Sequence, residues 1–138
     1  MTRSGHTRVK ICGVTSLDDA LACARAGADL LGLNFYPPSP RYLPLERARF
    51  LADGLRAALG EDCPLLVGVF VNASAEQIAG VMEAAGLDLA QLSGDEPEEV
   101  LAELGGRAIK AIRPRSQDEA TDQAARFLAH APRTADFP

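Results

Sequence analysis

The 138-residue sequence has no Trp, 5% aromatic residues, two His and three Cys. The cysteines, Cys12, Cys23 and Cys63, are odd in number and widely spaced, with no Cys-x-x-Cys pair. This excludes a disulfide framework and a zinc knuckle, so any working cysteine acts alone as a thiol. Charge is not massed anywhere: fourteen Lys+Arg face nineteen Asp+Glu, for a net charge of -5, and no dense basic cluster breaks the balance. Neither a nucleic-acid backbone nor an anionic membrane surface is an expected partner. No apolar run approaches about 18 residues, and the stretch from Met1 to Arg8 is too polar for a signal peptide, so the expected location is cytoplasmic. Gly-rich phosphate loops, His-x-x-x-His pairs and paired-carboxylate motifs are also missing, and neither His6 nor His130 has the spacing for metal or triad work.

What is present is 47% hydrophobic and 24% charged, with 12 Gly and 9 Pro, the make-up of one soluble globular domain over residues 1–138. Five β-rich runs alternate with segments of helical period: Arg8–Val14, Asp29–Phe35, Leu65–Val71, Leu87–Leu92 and Arg107–Arg113. Mostly continuous apolar runs suit strands covered by helices, and the alternation predicts a parallel α/β sheet. Ser16 with Asp19, Ser74 with Gln77 and Ser116 with Glu119 supply N-cap oxygens with a polar partner three residues on. Pro44 fits a first helical turn, Asp95 is placed to cap a fourth helix with Pro97 in its first turn, and Gly27, Gly60, Gly86 and Gly105 close helices. Leu17, Ala20, Leu21, Ala24 and Ala28 form one apolar stripe, and Ile78, Val81, Met82 and Ala85 another. A fifth helix over about Ser116 to His130 is expected to bury Ala120, Ala124, Phe127 and Leu128.

Ligands of a parallel α/β sheet bind at the carboxyl ends of the strands, which narrows the candidates. Cys12 is the one nucleophilic side chain at a strand end. Its bland reading is a small buried hydrophobe, but Lys10, two residues earlier, points to the same side, and a nearby ammonium favours a thiolate. Cys23 within the first helix and Cys63 before a strand read as structural. The loop Pro37-Pro38-Ser39-Pro40-Arg41-Tyr42 is stiff and presents Arg41, whose planar fork suits a carboxylate or phosphate, although packing over Tyr42 or pairing with an acid is the equal alternative. Asn34 and Gln91 are placed to orient a polar substrate or to satisfy backbone groups. Asp95 and Glu96 read as capping and helix-dipole compensation.

Five stretches together carry a resemblance. Val9-Lys10-Ile11-Cys12-Gly13-Val14-Thr15, Asn34 to Tyr42, Val67-Gly68-Val69-Phe70-Val71-Asn72, Gln91-Leu92-Ser93-Gly94-Asp95-Glu96 and Ile109-Lys110-Ala111-Ile112-Arg113 resemble phosphoribosylanthranilate isomerase over nearly the whole chain. The resemblance implies a (β/α)8 TIM barrel, here an incomplete one of about five βα units. It implies an Amadori rearrangement of phosphoribosylanthranilate to 1-(2-carboxyphenylamino)-1-deoxyribulose 5-phosphate in tryptophan biosynthesis, with no metal or organic cofactor. Cys12 aligns with the family's general base, Arg41 with its contact to the anthranilate carboxylate, and Gln91 with its pocket lining. Ser93 stands where the family usually has His. The family's general acid, an aspartate on the sixth strand, and its phosphate cradle have no counterpart, and Asp136 lies too early to supply the acid.

A complete (β/α)8 barrel needs at least about 200 residues. The expectation is therefore a chain that stops before a sixth strand, has little activity alone, and self-associates through an exposed barrel edge. The alternative is a five-stranded flavodoxin-like binding or signalling domain. Against it, Gly13-Val14-Thr15-Ser16-Leu17 offers neither a flavin phosphate loop nor clustered acids.

Overall fold

The computed structural model describes residues 6–133. Five parallel strands, β1 (Lys10–Cys12), β2 (Leu30–Asn34), β3 (Leu65–Phe70), β4 (Leu89–Leu92) and β5 (Ala108–Lys110), form one sheet in the order β1-β2-β3-β4-β5. Helices α1 (Leu17–Arg25), α2 (Leu45–Leu59), α3 (Ala75–Ala85), α4 (Glu98–Glu103) and α5 (Gln117–Leu128) follow the strands in turn, with a short 3-10 turn at Gly60–Asp62. Strictly sequential order is that of a (β/α) barrel wall. A flavodoxin-like sheet places its second strand outside the first, so the flavodoxin-like alternative is not favoured. Among the described residues β1 and β5 each have a strand neighbour on one side only.

The strands are shorter than the apolar runs, because residues such as Arg8, Val14 and Phe35 already leave the ladder for loops. Ser16, Ser74 and Ser116 do accept from the backbone N–H three residues on, and Ser74 with Gln77 forms a reciprocal capping box. Pro44 is the N-cap residue of α2 rather than part of its first turn. Asp95 does not cap α4: extended Pro97 takes that position without a side-chain bond and leaves Asp95 two residues too early.

Two apolar cores lie between sheet and helices. One joins Leu31, Leu33 and Leu66 to Ala48, Leu51 and Leu55 of α2; the other joins Phe70, Ala90, Leu92 and Ala108 to Ile78, Met82 and Leu101. On the opposite side of the sheet a small third cluster, Leu30, Val67 and Leu89, forms the floor of the inner surface. The expected buried face of α5 is not seen. Phe127 is half-buried against the cluster that holds Leu101 and Ala108, whereas Ala124 is exposed and Leu128 is 73% exposed.

Candidate functional site

Side chains alternate along a strand, so Lys10 and Cys12 leave β1 on one side, opposite Ile11. In register, Cys12 pairs with Gly32. A Cβ at Gly32 would lie 2.9 Å from Cys12 Sγ and 3.1 Å from Lys10 Nζ, so the missing side chain is what lets thiol and ammonium share this spot. The Gly32 carbonyl accepts from the N–H groups of Gly13 (2.9 Å) and Val14 (3.2 Å), fixing the turn directly after Cys12. Gly13 has φ +83°, and a Cβ there would meet Arg41, with Cδ at 2.5 Å and Cζ at 3.0 Å. Glycine is required twice over: for the backbone conformation and for the arginine lying across it.

The loop carrying Arg41 is held by hydrogen bonds as well as by prolines. Asn34 Oδ1 accepts from Tyr36 N–H (2.8 Å), Ser39 Oγ from Arg41 N–H (3.2 Å), and the Asn34 carbonyl from Leu43 N–H (2.8 Å). Asn34 is thus spent on loop geometry. Gln91 shares the inner side with Cys12, in register with Val69 and Ile109, and its Nε2 donates to Ser93 Oγ at 3.1 Å. The Cys12 thiol thus lies over Gly32 and the Arg41 side chain against Gly13, the next residue along the chain, while Gln91 lines the inner side three strands from β1. The arrangement offers an exposed thiol with an ammonium beside it and a carboxamide on one side of the sheet, and a guanidinium against the residue that follows the thiol.

Glu96 was not anticipated as more than a helix-end charge. Its side chain is 1% exposed. Oε2 accepts from Asn72 N–H (3.0 Å) and Gly94 N–H (2.9 Å), and Oε1 lies 2.9 Å from Lys110 Nζ, which also donates to the Gly94 carbonyl at 2.5 Å. Asn72, at φ 55°, accepts from Asp95 N–H at 2.8 Å. One carboxylate so ties the loops after β3 and β4 to β5, next to Ser93. Burial pushes the Glu96 carboxyl up, but the Asn72 N–H and the Lys110 ammonium outweigh it and hold the group below the ordinary carboxylate value. In the sequence an acid just before Pro97 gave no sign of this, because its partners lie on other strands.

The remaining candidates stay apart. Lys110 faces the helices, where its ammonium also lies 5.8 Å from the Phe127 ring centre. A cavity of about 480 Å³ lies between the loop after β4, β5 and α5, and an apolar one of about 580 Å³ lies beside Tyr36, Tyr42 and Phe70; neither includes Cys12. Burial pushes the Cys63 thiol up, with Arg56 and Asp88 nearby opposing each other. Among the described residues no group of three His, Cys, Asp or Glu side chains is placed to hold a metal. No helix there is long and apolar enough to cross a membrane. Asp136 lies outside the described residues.

The comparisons with known proteins agree on one family. A family model described as N-(5'phosphoribosyl)anthranilate (PRA) isomerase matches residues 9–133. The chain is 52% identical over 106 residues to the N-(5'-phosphoribosyl)anthranilate isomerase of Myxococcus xanthus, covering 77% of this chain and 48% of that protein. It is 39% identical over 128 residues to that of Acinetobacter calcoaceticus, covering 90% and 58%. A crystal structure of phosphoribosyl anthranilate isomerase from Thermotoga maritima aligns with TM-score 0.80 at 36% identity, over 89% of this chain and 58% of that one. A structure of such an isomerase in complex with reduced 1-(o-carboxyphenylamino)-1-deoxyribulose 5-phosphate aligns equally well, TM-score 0.80 at 36% identity, over 89% and 62%. The chain spans about half the length of the curated relatives it matches.

Proposed function

The chain belongs to the N-(5'-phosphoribosyl)anthranilate isomerase family, and from that premise we propose that it carries the general base and the carboxylate clamp of this isomerase. The reaction is the Amadori rearrangement of phosphoribosylanthranilate in tryptophan biosynthesis. The carrying observation is that Gly32 leaves the space the Cys12 thiol occupies and Gly13, the residue after Cys12, leaves the space the Arg41 side chain occupies.

Opening the furanose needs a proton delivered to the ring oxygen; forming the ketone needs a proton taken from C2 of the sugar. The Cys12 thiolate is the base for the second step. The Arg41 guanidinium holds the anthranilate carboxylate by paired hydrogen bonds, which fixes the substrate relative to Cys12. The Gln91 carboxamide lines the pocket, with Ser93 in place of an imidazole. No carboxylate shares the inner side of β1 to β5 among the described residues, so the general acid lies outside them. The chain alone then turns over little substrate, and its setting is cytoplasmic. The open edge of β5, with the exposed apolar face of α5, makes it self-associate.

The test is fluorescence-monitored turnover of phosphoribosylanthranilate by the purified chain, alone and mixed with the sixth to eighth units of the Myxococcus relative. Activity only in the mixture, lost in Cys12→Ala and with raised KM in Arg41→Gln, is the expected outcome. Activity that survives Cys12→Ala overturns the assignment.

A further inference from the structure

The chain has few aromatic side chains, two Tyr and five Phe, and four of them line one cavity that the isomerase reading does not use. Both tyrosines, Tyr36 and Tyr42, with Phe35 and Phe70, border the apolar cavity of about 580 Å³ at the carboxyl ends of β2 and β3. The Phe35 and Phe70 rings stack with centroids 5.3 Å apart. Phe70 is buried, whereas Tyr36 and Tyr42 are 37% and 39% exposed, so the phenylalanines make the floor and the tyrosines the open rim. β2 and β3 each have a strand neighbour on both sides, which places the cavity within the described arc, away from the open sides of β1 and β5.

Helix α3 contributes Glu76 and Gly80, four residues apart on one face. Gly80 lies in the helix interior, where glycine weakens a helix, and a Cβ there would meet nothing within 4 Å. The glycine keeps the cavity open at the expense of helix stability. Glu76 is exposed and is the one charged side chain among the described residues that line the cavity. Aromatic faces and a carboxylate both favour a cation over an anion, and the volume falls within the roughly 300–1,000 Å³ of small-molecule sites. We propose that this cavity binds a small organic ammonium ion with an aryl body, the body on the floor of Phe35 and Phe70 and the ammonium among the tyrosine rings and Glu76. Cys12, Arg41 and Gln91 lie outside the cavity, so the proposal does not rest on the isomerase reading and either can fail alone.

The chain has no Trp and both tyrosines line the cavity, so its intrinsic fluorescence reports this site. The probes are 2-phenylethylammonium, uncharged 2-phenylethanol and anionic 3-phenylpropionate, titrated into the full chain with N-acetyltyrosinamide as the reference for collisional quenching. The ammonium should give a saturable change with a Kd on the order of 1 mM, about two- to fivefold below that of the alcohol, and the carboxylate should give none. Glu76→Gln should cut the preference for the ammonium by roughly half. Gly80→Leu fills the cavity from a helix position with free space beside it, so it should abolish the saturable change while the thermal midpoint holds or rises. Saturable binding that survives Gly80→Leu, or an alcohol or carboxylate bound as tightly as the ammonium, overturns the proposal. So does a tyrosine signal that follows protein concentration rather than probe, which would mean that a second copy covers the rings. If Gly80→Leu does not fold, Glu76→Gln decides: an unchanged preference for the ammonium overturns the site.

Discussion

Removing the Glu96 carboxylate is the most demanding test of how this end of the sheet is held together. In Glu96→Ala, Lys110 keeps its bond to the Gly94 carbonyl but loses its counter-ion at 8% side-chain exposure, and the N–H groups of Asn72 and Gly94 lose their acceptor. Breaking a buried ion pair by deleting one partner costs about 3–5 kcal/mol, and each orphaned buried donor about 1–3 kcal/mol where water cannot reach it. The two overlap, so the expected loss is about 3–5 kcal/mol, a large share of the roughly 5–15 kcal/mol that holds a domain of this kind folded. With a urea slope of about 2 kcal/mol/M, the midpoint falls by about 2 M. Glu96→Gln keeps an acceptor for the N–H groups and loses only the charge, so it should fall between native and Ala. Lys110→Met should also destabilise, and the double variant should lose less than the sum of the singles by about 1–3 kcal/mol. The assay is urea unfolding followed by circular dichroism near neutral pH. A midpoint shift below about 0.5 M for Glu96→Ala, or strict additivity with Lys110→Met, refutes the reasoning by showing that water already serves these groups.

The same carboxylate sets an acid response. Its folded-state value lies below its unfolded one, so its contribution is fully present above the unfolded value of about 4.3 and is lost as pH falls through the folded value. The urea midpoint should drop below about pH 4, and Glu96→Gln should flatten that limb; an unchanged limb would locate the acid response elsewhere. Gly13→Ala carries both a left-handed φ and a collision with Arg41, whereas Gly27, at φ +100°, has nothing within 4 Å of its Cβ position. Strain alone costs about 1–3 kcal/mol, so Gly13→Ala should exceed Gly27→Ala in thermal unfolding; equal costs would show that Arg41 moves freely away. Leu128→Glu, at a position 73% exposed, should change stability by less than about 0.5 kcal/mol yet reduce association in sedimentation velocity. A native chain that sediments as a monomer removes the basis for that prediction.

Periodicity and caps made the βα units legible because both are local signals. An apolar run names a strand wherever it lies, and Ser16, Ser74 and Ser116 cap the helices that follow them regardless of tertiary context. Cys12 and Arg41 were legible as chemistry, one as a nucleophile at a strand end and one as a cation on a stiff loop. Their placement was not, because it depends on Gly32 in the neighbouring strand beside the thiol and on Gly13 beneath the Arg41 side chain. The burial of α5 was misjudged for a related reason: a stripe of Ala120, Ala124, Phe127 and Leu128 states what a helix is able to bury, whereas the neighbours decide what it does bury.

Two features show where the boundary between readable and unreadable falls. Gly27-Ala28-Asp29 and Gly86-Leu87-Asp88 repeat one pattern, a helix-closing glycine and an aspartate two residues later, just before a strand. Each aspartate accepts from one N–H at the start of the preceding strand in the sheet: Asp29 from Val9, just before β1, at 2.8 Å, and Asp88 from Leu66, the second residue of β3, at 2.7 Å. The repetition itself was a usable signal, since an acid recurring at one point of a βα unit needs donors there, and a parallel ladder leaves its first N–H groups open on that side. Glu96 offers no such repeat. Its three partners come from the ends of β3, β4 and β5, and only a fold that brings those ends together turns an acid beside a proline into the knot that holds the loop after Gln91. The groups that act on a ligand are therefore readable one by one, while the groups that position them are defined by contacts between units and become visible only in the folded sheet.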